Sequence, residues 1–228
     1  MKRVLLKTSS VLFLLSLFTL TGCTRYFMVL PQKKNLDFTV EGKFGKLLYS
    51  PVNDNRNELD RKGQAPGACG GGAPGVTVLG DENYRSPLLV EVDKHLKNSI
   101  YETSLFSEII DKDSLASETD YKIKVNLDRF NVVLDEEKAQ QTQACIGGFI
   151  GAAIAASIDV QATSDIAMTA VVYKGSKEIW RKSVSKRVVK IDDYAKTTTN
   201  AENAMGESIG EASKELVTEL AKFMAANS

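Results

Sequence analysis

Histidine appears once in the 228 residues of this chain, tryptophan once, and proline only five times. A single imidazole confines histidine chemistry near neutral pH to His95, which falls on the polar face of an amphipathic segment and reads as a solvated side chain. Charge of one sign is also lacking, with 29 lysines and arginines against 29 aspartates and glutamates and no basic block. That removes the electrostatic case for binding nucleic acid. The apolar run at the N-terminus, Val11 to Leu20, is interrupted by Ser16 and Thr19 and falls short of the roughly 20 residues that cross a bilayer as a helix.

Two sequence patterns match catalytic or nucleotide motifs and lack their context. Gly206-Glu207-Ser208-Ile209-Gly210 has the form of a nucleophile elbow, which needs a strand-to-helix turn with its acid and histidine later in the chain. Here it lies within an amphipathic helix, and His95 precedes it. Gly70 to Gly75 has the spacing of a dinucleotide fingerprint, but Pro74 and the following Val76-Thr77-Val78 point to a strand where that motif requires a helix. The carboxylates and amides between Asp54 and Asp60 do not align with a calcium loop, which needs glycine and glutamate at fixed positions. No catalytic constellation and no cofactor are expected, and the chain reads as non-enzymatic.

What is present at the N-terminus is informative. Lys2, Arg3 and Lys7 precede the apolar run, the layout of a secretory signal. Leu20-Thr21-Gly22-Cys23 closes it and resembles the lipobox of bacterial lipoproteins, whose cysteine receives a diacylglycerol and becomes the acylated N-terminus after cleavage. Several acyl chains, at roughly 0.8 kcal/mol per buried methylene, hold a protein durably on a membrane. The resemblance implies a signal peptide at 1–22, lipidation at Cys23, a lipid-anchored tether over 23–37 and one periplasmic domain over 38–228. Thr24 stands where an aspartate resembles an inner-membrane retention signal, which implies the outer membrane of a Gram-negative cell. The mature chain keeps 26 basic against 29 acidic residues, a net charge of −3.

With Cys23 acylated, Cys69 and Cys145 remain, an even pair in a compartment that permits disulfides. A bridge between them is the expected pairing, with two unpaired thiols as the alternative. It would close a loop of 76 positions and contribute on the order of 4 kcal/mol in the chain-entropy picture. One histidine and two thiols do not make a transition-metal site, so no metal is expected.

Hydropathy patterning reads as an α+β domain: an antiparallel-rich sheet with two main helices packed on one face. Strands are expected at 38–40 and 46–49, followed by a turn-rich and glycine-rich stretch from 51 to 85 that is loop apart from a short strand at 76–79. Ser86-Pro87 reads as an N-cap and first helical position, followed by a buried stripe of Leu88, Leu89, Val92, Leu96 and Ile100. Leu105-Phe106 to Ile110 reads as a brief strand or turn. Tyr121, Ile123, Val125 and Leu127 alternate with polar residues, and Phe130 and Val132 continue out of phase, which predicts a bulge near Asp128-Arg129. A long strand from Ile158 to Val172 turns at Lys174-Gly175-Ser176 and returns through Trp180, Val184 and Val188. Thr199 to Glu202 fits a capping box, and Met205, Ile209, Ala212, Leu216, Leu220 and Phe223 give the inward face of a last helix.

Residues 144–157 follow an acidic and glutamine-rich segment and are the most unusual of the mature chain, with small residues recurring at Gly147, Gly151 and Ala155. Two readings stand: a buried or groove-covering crossover inside the domain pinned by Cys145, or an apolar surface for lipid, self-association or a membrane partner. In the second, Ile146, Phe149, Ile150, Gly151 and Ile154 form the interaction segment.

The lipobox, the strand into Val52-Asn53-Asp54-Asn55-Arg56, the helix ending at Leu105-Phe106, the Tyr121 to Val125 strand, the glycine-rich bridge, the long hairpin and the last helix together resemble small periplasmic lipoproteins. The group includes the YajG-type lipoproteins and the auxiliary lipoproteins of ABC-type lipid transporters. That resemblance implies a non-enzymatic binding or accessory subunit of an envelope complex, partnered by a membrane through the N-terminal lipid and by an envelope protein or lipid. The alternative is a self-assembling structural lipoprotein of a secretion, flagellar or pilus apparatus, a homo-oligomer. The sheet edge, the 63–85 loop and the 144–157 segment are the expected binding surfaces.

Overall fold

The computed structural model describes residues 28–29, 44–64, 75–111, 119–146 and 148–227. Along the chain run β1 (Phe44–Tyr49), β2 (Asn53–Asp54), α1 (Glu58–Lys62), β3 (Val76–Leu79), α2 (Leu88–Glu102), β4 (Phe106–Ile110), β5 (Tyr121–Asp135), α3 (Glu137–Ile146), α4 (Gly148–Ala155), β6 (Asp159–Lys174), β7 (Lys177–Asp193) and α5 (Thr197–Ala226). The strands form one sheet in the order β4-β1-β5-β6-β7, with β2 and β3 also paired to β5. The long pairs β5–β6 and β6–β7 are antiparallel. The short β1 is parallel to both β4 and β5, because α2 carries the chain back between β1 and β4. This is the expected α+β architecture in a single domain.

β5 shows how the pattern builds the core. Ile123, Val125 and Leu127 face inward and are buried, and so are Phe130, Val132 and Leu134, which have the opposite parity. The register against β6 shifts between Leu127 and Arg129, and that extra residue is what returns the apolar set to the core. Without it every later side chain would turn to the other face. β6 keeps one parity from Val160 to Val172. A two-residue loop then joins it to β7, with Lys174 opposite Lys177 and Gly175 at φ 60°, the sign that a type II′ hairpin requires at its first central residue.

α5 lies across β5, β6 and β7 and also packs against α2. Met205, Ile209, Ala212, Leu216 and Leu220 are fully buried, while Phe223 is partly buried with its ring 6.3 Å from Trp180. Gly206 and Gly210 are buried too. The helix comes close enough to the sheet for the hydroxyls of Ser208 and Ser164 to lie 2.8 Å apart in the core. On β7, an edge strand, the inward positions between apolar residues are lysines. Lys182, Lys186 and Lys190 pair with Glu219, Glu215 and Glu207 of α5 at 3.6, 2.7 and 2.7 Å. Inward charge of this kind discourages strand addition at a long free edge.

Several local expectations are corrected by packing. His95 is 4% exposed, not solvated: the buried stripe of α2, a helix that packs against α5 as well as lining the core, includes His95 and Ser99. Pro87, not Ser86, occupies the N-cap position of α2, with an extended ψ of 123° and no side-chain cap bond. The capping box at Thr199 is unused. A 3-10 turn at Tyr194–Lys196 leads directly into a helix that begins at Thr197, and Glu202 bonds elsewhere. The stretch read as loop contains α1, capped by the Asn57 side chain accepting from Asp60 N, and the glutamine-rich segment is itself helix α3. The strand expected at 38–40 lies outside the described residues.

Candidate interaction surface

α3 and α4 form a short helical hairpin inserted between β5 and β6. Its root is covered: Ala139, Ala155 and Val160 are buried together beneath Ile158 and Tyr194. Tyr194 N donates to Ile158 O at 2.8 Å and Ala195 N to Ala156 O at 3.2 Å. The hairpin is therefore fastened to the chain that leads into α5. A Cβ at Gly151 would sit 3.1 Å from the Gln143 carbonyl oxygen and 3.3 Å from Ile146 Cβ, so glycine is what lets α4 cross α3 this closely.

The other face of the hairpin points to solvent. Phe149 is 90% exposed and Ile150 68%, with Ile146 and Ile154 exposed beside them. These four side chains are not buried, whereas Gly151 and Ala155 of the same segment are. Cys145 is exposed and no disulfide occurs among the described residues. Cys69 and Cys23 lie outside those residues, as does Gly147.

A second feature was not legible in the sequence. Met28 is 1% exposed. Its N–H donates to Asn83 O at 2.7 Å, and Arg85 N donates to Met28 O at 2.9 Å. The next residue, Val29, donates its N–H to Glu202 Oε1 at 2.9 Å. Met28 and Val29, which fall within the expected tether, are thus seated on the domain, Met28 five positions after Cys23.

Polar side chains gather beside α1. The Arg56 guanidinium is buried and held by two carboxylates: Nε lies 2.9 Å from Asp54 Oδ1, and Nη2 lies 3.0 Å from Asp54 Oδ2 and 3.1 Å from Asp81 Oδ2. The hydrogen bond from Arg56 holds the Asp54 carboxyl below its ordinary range. Burial pushes the nearby Tyr84 phenol up. The Asn131 amide donates to the buried Asp60 at 3.3 Å. These groups tie β2, α1 and the turn after β3 to β5, and they contain no nucleophile paired with a base.

The serine of the elbow-like pattern is buried inside α5, where Ser208 Oγ also donates to Met205 O at 3.0 Å. Among the described residues no cluster of three histidines, cysteines or carboxylates is placed to hold a metal. At the far end of the sheet, Phe44, Tyr121, Ile179 and Phe223 line an open hollow of about 330 Å³, rimmed by Lys174 and Lys177. No helix among the described residues is long and apolar enough to cross a membrane.

No protein-family model matches the chain, and no curated protein matches it in sequence. Solved structures do. Protein XCC0632 of Xanthomonas campestris, assigned to family DUF330, superposes with a TM-score of 0.52 at 12% identity, over 90% of this chain and 99% of that one. Lipoprotein GNA1162 of Neisseria meningitidis aligns over 78% of this chain and 99% of its own at TM-score 0.35 and 7% identity. A PelC dodecamer subunit of Paraburkholderia phytofirmans aligns over 77% and 94% at TM-score 0.31 and 7% identity. The last two similarities are too low to argue from, and the first establishes a shared fold: the chain has the α+β fold seen in the Xanthomonas protein.

Proposed function

We propose that this chain is an outer-membrane lipoprotein, anchored through Cys23, whose periplasmic domain serves as a non-enzymatic binding or accessory subunit of a cell-envelope complex. The observation that carries the reading is the motif Leu20-Thr21-Gly22-Cys23 followed, five positions on, by a residue buried in the domain core. An acylated Cys23 would hold the domain close against its membrane, and closeness raises the effective concentration of any partner in the same membrane. The resemblance to YajG-type and transporter-associated lipoproteins suggests a binding role, with lipid transport or envelope maintenance as the setting. In-cell crosslinking followed by mass spectrometry tests it. Crosslinks to one envelope assembly, lost with Cys23→Ser, are the expected result. A chain released to the periplasm with Cys23 intact and unacylated would overturn the anchor. A discrete self-assembled ring or filament without other partners would favour a structural lipoprotein instead.

A further inference from the structure

The exposed face of the α3–α4 hairpin has a chemistry water does not suit. From Ala139 to Ile158 the chain carries no charged residue, and Ile146, Phe149, Ile150 and Ile154 project outward from it. At its root Lys196 Nζ lies 2.9 Å from Asp192 Oδ1 and 3.6 Å from Asp193 Oδ2, and Glu137, Lys138 and Asp159 stand exposed where the hairpin joins β5 and β6. The outer face itself, free of charged residues, offers apolar contact.

Its position in the molecule decides what it meets. The root of the hairpin is bonded to Tyr194 and Ala195, and Glu202, which holds Val29, lies about 8 Å along the helix axis from the start of α5. Met28 is fixed to Asn83 and Arg85, past the end of β3 that lies farther from the hairpin, since β3 runs antiparallel to β5 from Val76 opposite Asp135 to Leu79 opposite Val132. Met28 follows Cys23 by five positions, a leash of about 18 Å at full extension. Val29, through Glu202, and the root of the hairpin, through Tyr194 and Ala195, thus both lie toward the end of the sheet at which α5 begins. The β6–β7 turn lies at the other end, about 50 Å away along a strand of this length.

We infer that the α3–α4 hairpin is a second membrane contact, with Phe149 and Ile150 entering the lipid leaflet that holds the acylated N-terminus. This rests on the reading of Cys23 as the acylated residue. α4 is about 12 Å long, enough to reach the boundary between headgroups and acyl chains and too short to span. One acyl-modified residue on a leash leaves the domain free to tumble over the membrane. A second apolar contact fixes its orientation, so the end at the β6–β7 turn is presented away from the membrane.

The test uses the full chain, processed in cells and reconstituted into vesicles of phosphatidylethanolamine and phosphatidylglycerol. In a Cys69→Ser, Cys145→Ser background, an environment-sensitive fluorophore is placed through Ile150→Cys or, as a control, through Ser176→Cys in the distal turn. Quenching by doxyl groups on the acyl chains is expected at position 150 and absent at 176. Equal and weak quenching at both positions overturns the inference. So does energy transfer between labelled copies that persists in detergent without lipid, which would assign the face to a second copy of the chain. As a check independent of labelling, Phe149→Ser with Ile150→Ser in a Cys23→Ser chain is expected to lower flotation with these vesicles about tenfold or more, and unchanged flotation counts against the contact. The mass of the N-terminal peptide separates the two readings. Quenching at 150 with unmodified Cys23 retires the anchor and keeps the lipid contact, whereas acylated Cys23 without quenching does the reverse.

Discussion

Met28→Ala probes whether the segment after Cys23 belongs to the domain. The side chain is fully enclosed in the main core cluster, so the substitution removes three buried heavy atoms and leaves a hole that the docked segment refills only in part. Methionine-to-alanine changes in cores destabilise by about 2–5 kcal/mol. Met28 enters from the periphery, from a short docked segment that can shift toward the gap, so the expected loss is about 2–3 kcal/mol at the low end of that range. For a chain of this length, 1 kcal/mol moves the melting temperature by roughly 2–4 °C, which gives a fall of about 5–10 °C. The assay is thermal and guanidinium unfolding of the mature chain carrying Cys23→Ser, so that detergent is not needed. Glu202→Ala in the same background removes the acceptor for Val29 N and is expected to destabilise by about 0.5–1.5 kcal/mol. Because both residues hold one segment, the double variant should lose less than the sum of the singles. A Met28→Ala loss below about 0.5 kcal/mol, the size of an ordinary surface change, would refute the docking and remove the short leash with it.

Three further outcomes follow from particular contacts. Ser208→Ala leaves the buried Ser164 hydroxyl without its 2.8 Å partner and is expected to destabilise by about 1–3 kcal/mol, with part recovered when Ser164→Ala is added; no recovery in chemical unfolding would rule out a coupled pair. Gly151→Leu drives a side chain against the Gln143 carbonyl, so protease cleavage between α3 and α4 should accelerate while the melting of the main sheet changes little, whereas unaltered cleavage would contradict the close crossing. Asp54 is held below its unfolded pKa by Arg56. Its contribution is present above the unfolded value of about 3.9 and lost as pH falls through the lower folded value. The stability gap between wild type and Asp54→Asn, read from guanidinium midpoints, should therefore be constant near neutrality and narrow in that acidic window; a gap that stays constant through it would dissociate the carboxylate charge from the clamp.

Sequence alone determined the features that depend on a residue and its near neighbours. The parity switch in β5 announced the bulge at Leu127 and Arg129, the Gly175-Ser176 turn announced the hairpin, and the apolar spacing from Met205 to Leu220 announced the face of α5. Strand alternation and helical periodicity are properties of the backbone itself, so they are written in the chain wherever one side is buried. Tertiary structure decided what those elements meet. His95 has the local pattern of a solvated residue and is nonetheless buried on α2, a helix that also packs against α5. Glu202 has the local pattern of a helix cap and instead accepts from Val29, 173 positions away, a separation that periodicity cannot encode. The 144–157 segment was apolar by composition, but only the packing of Gly151 against α3 and the fastening of its root to Tyr194 turned Phe149 and Ile150 outward. Whether an apolar residue is core or surface depends on how much partner surface the rest of the chain brings to it. At this end of the sheet the described residues bring none to Phe149.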